Sequence, residues 1–239
     1  MNFLSNFYSV SDHKQASVSA EQGNNFAKHV ADDFNPIHDT DSKRFCVPGD
    51  LLFAIALERY GLHQSMSFRF RELIKADTAL SYPEFDQSSA EFDVTCDRSK
   101  PVLGIEFSGD SSNDSEKIEQ LIRNYVVFSG QNFPHILVPL MQQHHVMINP
   151  ARPLVIYQSM SLSFDSLEFD KLNIELSKTE LEVVGKRGNA ELHFDLNDGD
   201  RKIGTGLKRL VLSGLREYQQ ESIDSMCEQY YASKLARSA

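Results

Sequence analysis

The sequence predicts an α+β protein made of two fused copies of one unit, and three observations carry that prediction. DLLFAIALERYG (residues 50–61) is apolar on nearly every side over its first two turns, as a helix enclosed by other structure must be. The segments after it, MSFRFREL (66–73), AEFDVTC (90–96) and VLGIEF (102–107), alternate apolar and polar residues in the manner of half-buried antiparallel strands. The pattern then recurs. MSFRFREL matches MSLSFDSL (160–167) in apolar positions and in its first two residues, and AEFDVTCDRSKPVLG (90–104) matches AELHFDLNDGDRKIG (190–204) from the opening Ala-Glu to the closing Gly.

Each element has a local reason. Ser19 with Gln22 makes a capping box, and Phe26, Ala27, Val30 and Ala31 follow at helical spacing, which predicts a helix over 19–31. Pro48 and Gly49 open the enclosed helix and Gly61 ends it. SGDSSNDSEK (108–117) is polar and turn-rich and reads as a connector. Working backwards through the repeat aligns PGDLLFAI (48–55) with PHILVPLM (134–141), so a second enclosed helix is expected there. The first unit then spans residues 1–110, the second 117–215, and a C-terminal helix occupies 216–239. That last helix carries Ile223, Met226, Cys227 and Tyr230 along one face, a stripe suited to packing or to contact with a partner, packing being the commoner use.

Bulk composition narrows the function. A chain of 239 residues, 41% hydrophobic, can bury a substantial core, and its net charge of −10 argues against nucleic acid or an anionic membrane surface as partner. The run LLFAIAL is far short of the ~20 residues that span a bilayer, and the N-terminus lacks a basic segment followed by an apolar one, so a cytoplasmic protein is expected. Cys46, Cys96 and Cys227 are odd in number and far apart, which suits reduced thiols used as buried filler. No metal site is expected: His135, His144 and His145 have no zinc-like spacing around them and suit surface or helix-end positions. Ser129-Gly130 is a lone small-residue pair outside any G-x-S-x-G elbow, and there is no phosphate or dinucleotide fingerprint.

The repeat breaks at one place. Between its two helices the first unit carries DDFNPIHDTDSKRFCV, where the second has only FSGQNF. Within that loop D-x-N-P-I-H sets a carboxylate, Asp33, and an imidazole, His38, on either side of a rigid turn. Pro36 fixes its own φ and pushes Asn35 into an extended conformation, and Asn35 can close an Asx turn. As scaffold, the same residues would form a helix end with Asp33 as a local acceptor and His38 as a structural side chain. A loop present once in a duplicated fold favours a ligand-facing site.

Two helices with the second enclosed, then antiparallel strands, all present twice, resembles the hot-dog fold, in which a curved antiparallel sheet wraps a central helix; the fused pair resembles a double hot dog. D-x-N-P-I-H after a short helix, with Pro48-Gly49 leading the enclosed helix, resembles the signature of MaoC-like dehydratases and (R)-specific enoyl-CoA hydratases. Length and the stretch FCVPGDLLFAI are also similar to an uncharacterised proteobacterial family.

The hydratase resemblance implies hydration or dehydration of an enoyl thioester of coenzyme A or acyl carrier protein, without a cofactor, by a monomeric pseudo-dimer or a homodimer. Asp33 would take a proton from water as general base, and His38 would bond the same water and return a proton to the alpha carbon. Asn35 and Pro36 would position the pair. Gly49 would let the thioester approach the first turn of the enclosed helix, where N–H groups and the dipole meet developing negative charge.

This chain departs from the family in having Ala31-Asp32 before the aspartate in place of Ser-Gly, and Pro48 in place of His before the glycine. Asp32 is expected to raise the proton affinity of the pair, and Pro48 removes a donor. The motif also lies in the first repeat rather than the second. Two alternatives stand beside hydration: an inactive hot-dog module binding an acyl group or a protein partner, and an acyl thioesterase with a carboxylate aimed at the carbonyl carbon.

Overall fold

The computed structural model describes residues 3–84, 90–97 and 99–238; Met1, Asn2, residues 85–89 and Arg98 of the first unit, and Ala239 of the C-terminal helix, lie outside them. A short antiparallel pair, β1 (Ser9–Val10) and β2 (Ala16–Ser17), leads into α1 (Ala20–His29). The predicted capping box is formed: the Gln22 N–H donates to Ser19 Oγ at 3.1 Å and the Ser19 N–H to Gln22 Oε1 at 2.9 Å. The enclosed helix is α2 (Gly49–Tyr60), buried without interruption from Asp50 to Leu57 and stopped by Gly61 at φ +80°. Burying each large apolar side chain of such a helix is worth about 1.5–3 kcal/mol, so α2 is the anchor of the core.

From α2 the chain enters β3 (Leu62–Phe70), β4 (Leu80–Ser81), β5 (Ala90–Cys96) and β6 (Pro101–Ser112). β6 runs on through SGDSS, which the sequence reading assigned to the connector. The reason is that β3 starts earlier than expected, so Leu62 and His63 offer ladder partners to Ser112 and Ser111 across a bulge.

In the second unit α3 (Ser115–Gly130) is capped by Asp114, whose Oδ1 accepts from the N–H groups of Glu116 and Lys117 at 2.9 and 3.3 Å. The expected second enclosed helix over 134–141 is instead a π-helical turn, Phe133–Leu137, followed by a short α4 (Val138–Gln143). Pro134 and Pro139 supply no N–H and keep this copy from forming a continuous helix like α2. Then come β7 (Val146–Met147), β8 (Val155–Phe164), β9 (Leu172–Val184), β10 (Arg187–Asp198), β11 (Arg201–Ser213), β12 (Arg216–Glu217) and α5 (Gln220–Ser238).

Among the described residues, ten strands form one antiparallel sheet in the order β1-β2-β4-β5-β6-β3-β8-β11-β10-β9. The two halves meet at β3 and β8, where Ser67 faces Ser161, Met66 faces Leu162 and Phe68 faces Met160. The sequence repeat equates those same residues, Ser67 with Ser161 and Met66 with Met160, so a pseudo-two-fold axis passes between the two serines. On either side the orders β6-β5-β4 and β11-β10-β9 mirror each other. The fold is α+β, with a double hot-dog arrangement whose second helix is degenerate.

Aromatic side chains tie the halves together around α2. The Phe53 ring meets Phe68 of β3 edge-on at 5.1 Å and Tyr125 of α3 at 5.0 Å. A second apolar cluster, including Met141, Leu192, Leu212 and Ile223, lies beneath α4 and α5. Ile223 and Tyr230 are buried, with Met226 and Cys227 packed beside them, so the C-terminal helix turns its predicted stripe inward. Cys46 is buried and Cys96 and Cys227 are half-buried free thiols. His144 and His145 are exposed at the end of α4. Among the described residues no helix is long and apolar enough to cross a membrane.

Candidate active site

The way α1 ends aims Asp33. The Ala31 N–H bonds back to the Phe26 carbonyl at 3.0 Å and the Asp33 N–H to the Ala27 carbonyl at 2.8 Å, which requires Asp32 to take a left-handed φ of +52°. Outside glycine that conformation costs about 1–2 kcal/mol. The neighbours hold Asp32 there: its carboxylate receives the Gln131 side-chain amide at 2.8 Å and pairs with Lys234 of α5, and its carbonyl accepts from the Tyr230 hydroxyl at 3.2 Å. The expected effect of Asp32 is therefore corrected. Its charge is engaged by Lys234 and Gln131. Burial pushes the Asp33 carboxyl up, but His38, the Asn35 N–H and Lys28 outweigh it and hold that carboxyl below its ordinary value.

The loop itself follows the sequence closely. Asn35 is extended (φ −63°, ψ 123°), its Oδ1 accepts the Ile37 N–H at 3.1 Å, and Pro36–His38 form one turn of 3₁₀ helix. Asp33 Oδ1 accepts the Asn35 N–H at 2.8 Å. Two residues one turn apart on α1 clamp the loop backbone: Asn24 Nδ2 donates to the His38 carbonyl at 3.0 Å, and Lys28 Nζ to the Asn35 carbonyl at 3.2 Å. His38 Nδ1 lies 2.7 Å from the Cys46 carbonyl. A carbonyl only accepts, so Nδ1 carries hydrogen, and Nε2 is turned toward Asp33 Oδ2 at 3.5 Å.

Asp33, Asn35, Pro36, His38 and Gly49 all line one cavity of about 750 Å³ between the two units. Two rings of the wall crowd Gly49. A Cβ built there would stand 2.9 Å from Tyr157 Cδ1 and 3.2 Å from Phe70 Cε1, so the close approach it permits is by those two rings. Pro48 serves as the N-cap of α2. The stripe on α5 does more than pack, since Met226 and Tyr230 also line the cavity.

Three residues that the motif did not flag meet in the same wall. Ser129 Oγ donates to Asp50 Oδ2 at 2.6 Å, and Lys208 Nζ donates to Ser129 Oγ and, at 3.4 Å, to the Ser129 carbonyl. The ammonium also stands 4.4 Å from the centre of the Tyr157 ring, and the Tyr157 hydroxyl contacts that of Tyr125. Burial pushes the Asp50 carboxyl up and the Lys208 ammonium down, and each partner works against the shift of the other. Next to Ser129, Gly130 lets α3 abut the motif loop: a Cβ there would collide with the Ala31 carbonyl and stand 3.1 Å from Asp33 Cβ. Signals for two of these residues were present. Asp50 is an acid at the head of an enclosed apolar helix, and Lys208 in GLKRLVL shares the inward register of Leu210 and Leu212.

Among solved structures, the chain is similar to a conserved protein of unknown function with hot dog fold from Alicyclobacillus acidocaldarius (TM-score 0.47, 9% identity, 89% of this chain and 98% of that one). It is also similar to an acyl-CoA thioesterase II, TesB2, from Mycobacterium marinum (TM-score 0.42, 9% identity, 89% and 96%). A third is the tesB protein of Mycobacterium avium subs paratuberculosis (TM-score 0.42, 10% identity, 72% and 89%). No curated protein matches the sequence. A family model, DUF3581, described as a protein of unknown function, matches residues 2–221 and so reaches just into the start of α5. The chain belongs to the DUF3581 family.

Proposed function

We propose that the cavity binds an acyl thioester of coenzyme A or acyl carrier protein and that Asp33 and His38 add water across its 2,3 double bond, or remove it in reverse. The observation that carries this reading is the convergence of Asp33 Oδ2 and His38 Nε2, 3.5 Å apart, in a cavity wall that also holds the first turn of α2. One water can bond both groups at that separation. As its oxygen bonds to C3, Asp33 takes one of its protons. The double-bond electrons move toward the thioester oxygen, and the proton passes through His38 Nε2 to the alpha carbon. Water's two hydrogens end as the new hydroxyl hydrogen and the new C–H.

Negative charge on the thioester oxygen would be met at the start of α2, where N–H groups lack intrahelical partners and the dipole is positive. Leu52, Phe70, Leu137 and Leu210 offer apolar wall for an acyl chain. An inactive binding module is disfavoured because Asp33 faces His38 and not backbone alone. The test is to incubate the protein with crotonyl-CoA and longer enoyl-CoAs while following the enoyl thioester absorbance. Absence of turnover at every chain length would refute hydration.

Thioester hydrolysis is the second reading, favoured by Asp50. This carboxylate lies in the same wall, in the first turn of α2, and its Oδ1 has no hydrogen-bond partner among the described residues. Release of free thiol from saturated acyl-CoA would select it.

A further inference from the structure

The cavity wall holds polar groups that hydration by Asp33 and His38 leaves unused. Asp50, Ser129 and Lys208 are 7%, 5% and 4% exposed, and they form a row in which ammonium bonds hydroxyl and hydroxyl bonds carboxylate. The row satisfies Asp50 Oδ2 and leaves Oδ1 without a partner. Asn132, 4% exposed in the same wall, has neither amide atom paired. Buried polar atoms are nearly always bonded, so an unpaired atom on a side chain that lines a cavity calls for a partner, and a ligand group is one that the cavity can supply.

The chemistry of the row narrows the ligand group. Asp50 Oδ1 requires a donor. An ammonium on the ligand would meet Lys208 as a like charge, and a carboxylate would meet Asp50. A hydroxyl suits both, donating to the carboxylate and accepting from the lysine or from the Asn132 amide. Each member of the row is less than a tenth exposed, so the group it meets is itself buried, which suits an acyl chain better than a hydrated carrier arm.

Resting on the acyl-thioester reading, we propose that Asp50, with Lys208, binds a hydroxyl on the acyl chain beyond C3, so that the preferred substrates are hydroxylated acyl thioesters.

Titration calorimetry with hexanoyl-CoA and its 4-, 5- and 6-hydroxy derivatives tests this, because these compounds lack the 2,3 double bond and the 3-hydroxyl handled by Asp33. One hydroxyl position is expected to tighten binding by about tenfold or more. In Asp50→Ala that advantage disappears, so that the hydroxylated compounds bind no tighter than hexanoyl-CoA, and Lys208→Met reduces the advantage. If Asp50→Ala fails to fold, Asp50→Leu combined with Lys208→Met removes both ends of the row together and carries the comparison. Binding of hexanoyl-CoA with no gain at any hydroxyl position overturns the inference and leaves the thioester reading standing. Binding of none of the four overturns both. Thiol release by the wild type that stops in Asp50→Ala assigns Asp50 to hydrolysis and also overturns the inference.

Discussion

Replacing Lys208 by Met tests whether the Asp50–Ser129–Lys208 row is one electrostatic unit. Met keeps much of the aliphatic stem and removes the ammonium. Asp50 is then left with the single donor Ser129 on Oδ2, nothing on Oδ1 among the described residues, and without its main compensating charge. Stranding one half of a buried pair costs about 3–5 kcal/mol, and Asp50→Leu should cost a similar amount by stranding the ammonium. The double variant removes both charges, so its cost should fall short of the summed single costs by about 2 kcal/mol or more. Urea unfolding of all four proteins at pH 7 measures the difference. The pH dependence gives a second readout. Burial raises the Asp50 carboxyl, and losing Lys208 raises it further, so Lys208→Met should be less destabilised at pH 5 than at pH 8. Additivity within about 0.5 kcal/mol, with no pH trend, would mean that Asp50 and Lys208 act independently.

Other outcomes follow from the loop. Gly130→Ala should drive the end of α3 against the Ala31 carbonyl, lowering stability by about 1–3 kcal/mol in urea melts and displacing Asp33. Asp32→Gly exchanges the Lys234 pair for relief of left-handed strain and should lie within about 1 kcal/mol of wild type, whereas Asp32→Ala keeps the strain, loses the pair and should be about 1–2 kcal/mol worse than Asp32→Gly. Asp33, lowered from an ordinary value of 3.8, contributes stability that is present above that pH and lost as pH falls through its folded value. The gap in urea midpoint between wild type and Asp33→Asn should accordingly narrow between pH 5 and pH 3.

Much of the fold was legible because it is local. The Ser19 capping box, the enclosed run from Leu51 to Leu57, the β5 boundaries and the Asn35 turn each depend on residues within a few positions of one another, and each formed as read. The repeat was legible too; that Ser67 and Ser161, which it equates, face each other where the halves meet came from the sheet register and not from the repeat. What escaped depends on packing between the units. FSGQNF looked like a shortened loop, yet its residues brace the long loop of the other unit: Ser129 bonds Asp50, Gly130 abuts Ala31, and Gln131 holds Asp32. No local pattern encodes a contact between positions so far apart in the chain. The same holds for Lys234 and Tyr230, which reach Asp32 from α5 across the whole chain.

Activation of water by Asp33 and His38 against an enoyl thioester is read out by kcat/KM on crotonyl-CoA for wild type, Asp33→Asn and His38→Ala. The wild type should hydrate crotonyl-CoA measurably, and each variant should lose roughly 10²–10⁴-fold while still binding it. Hydration by Asp33→Asn at the wild-type rate, or none by the wild type, would contradict that role of Asp33 and His38.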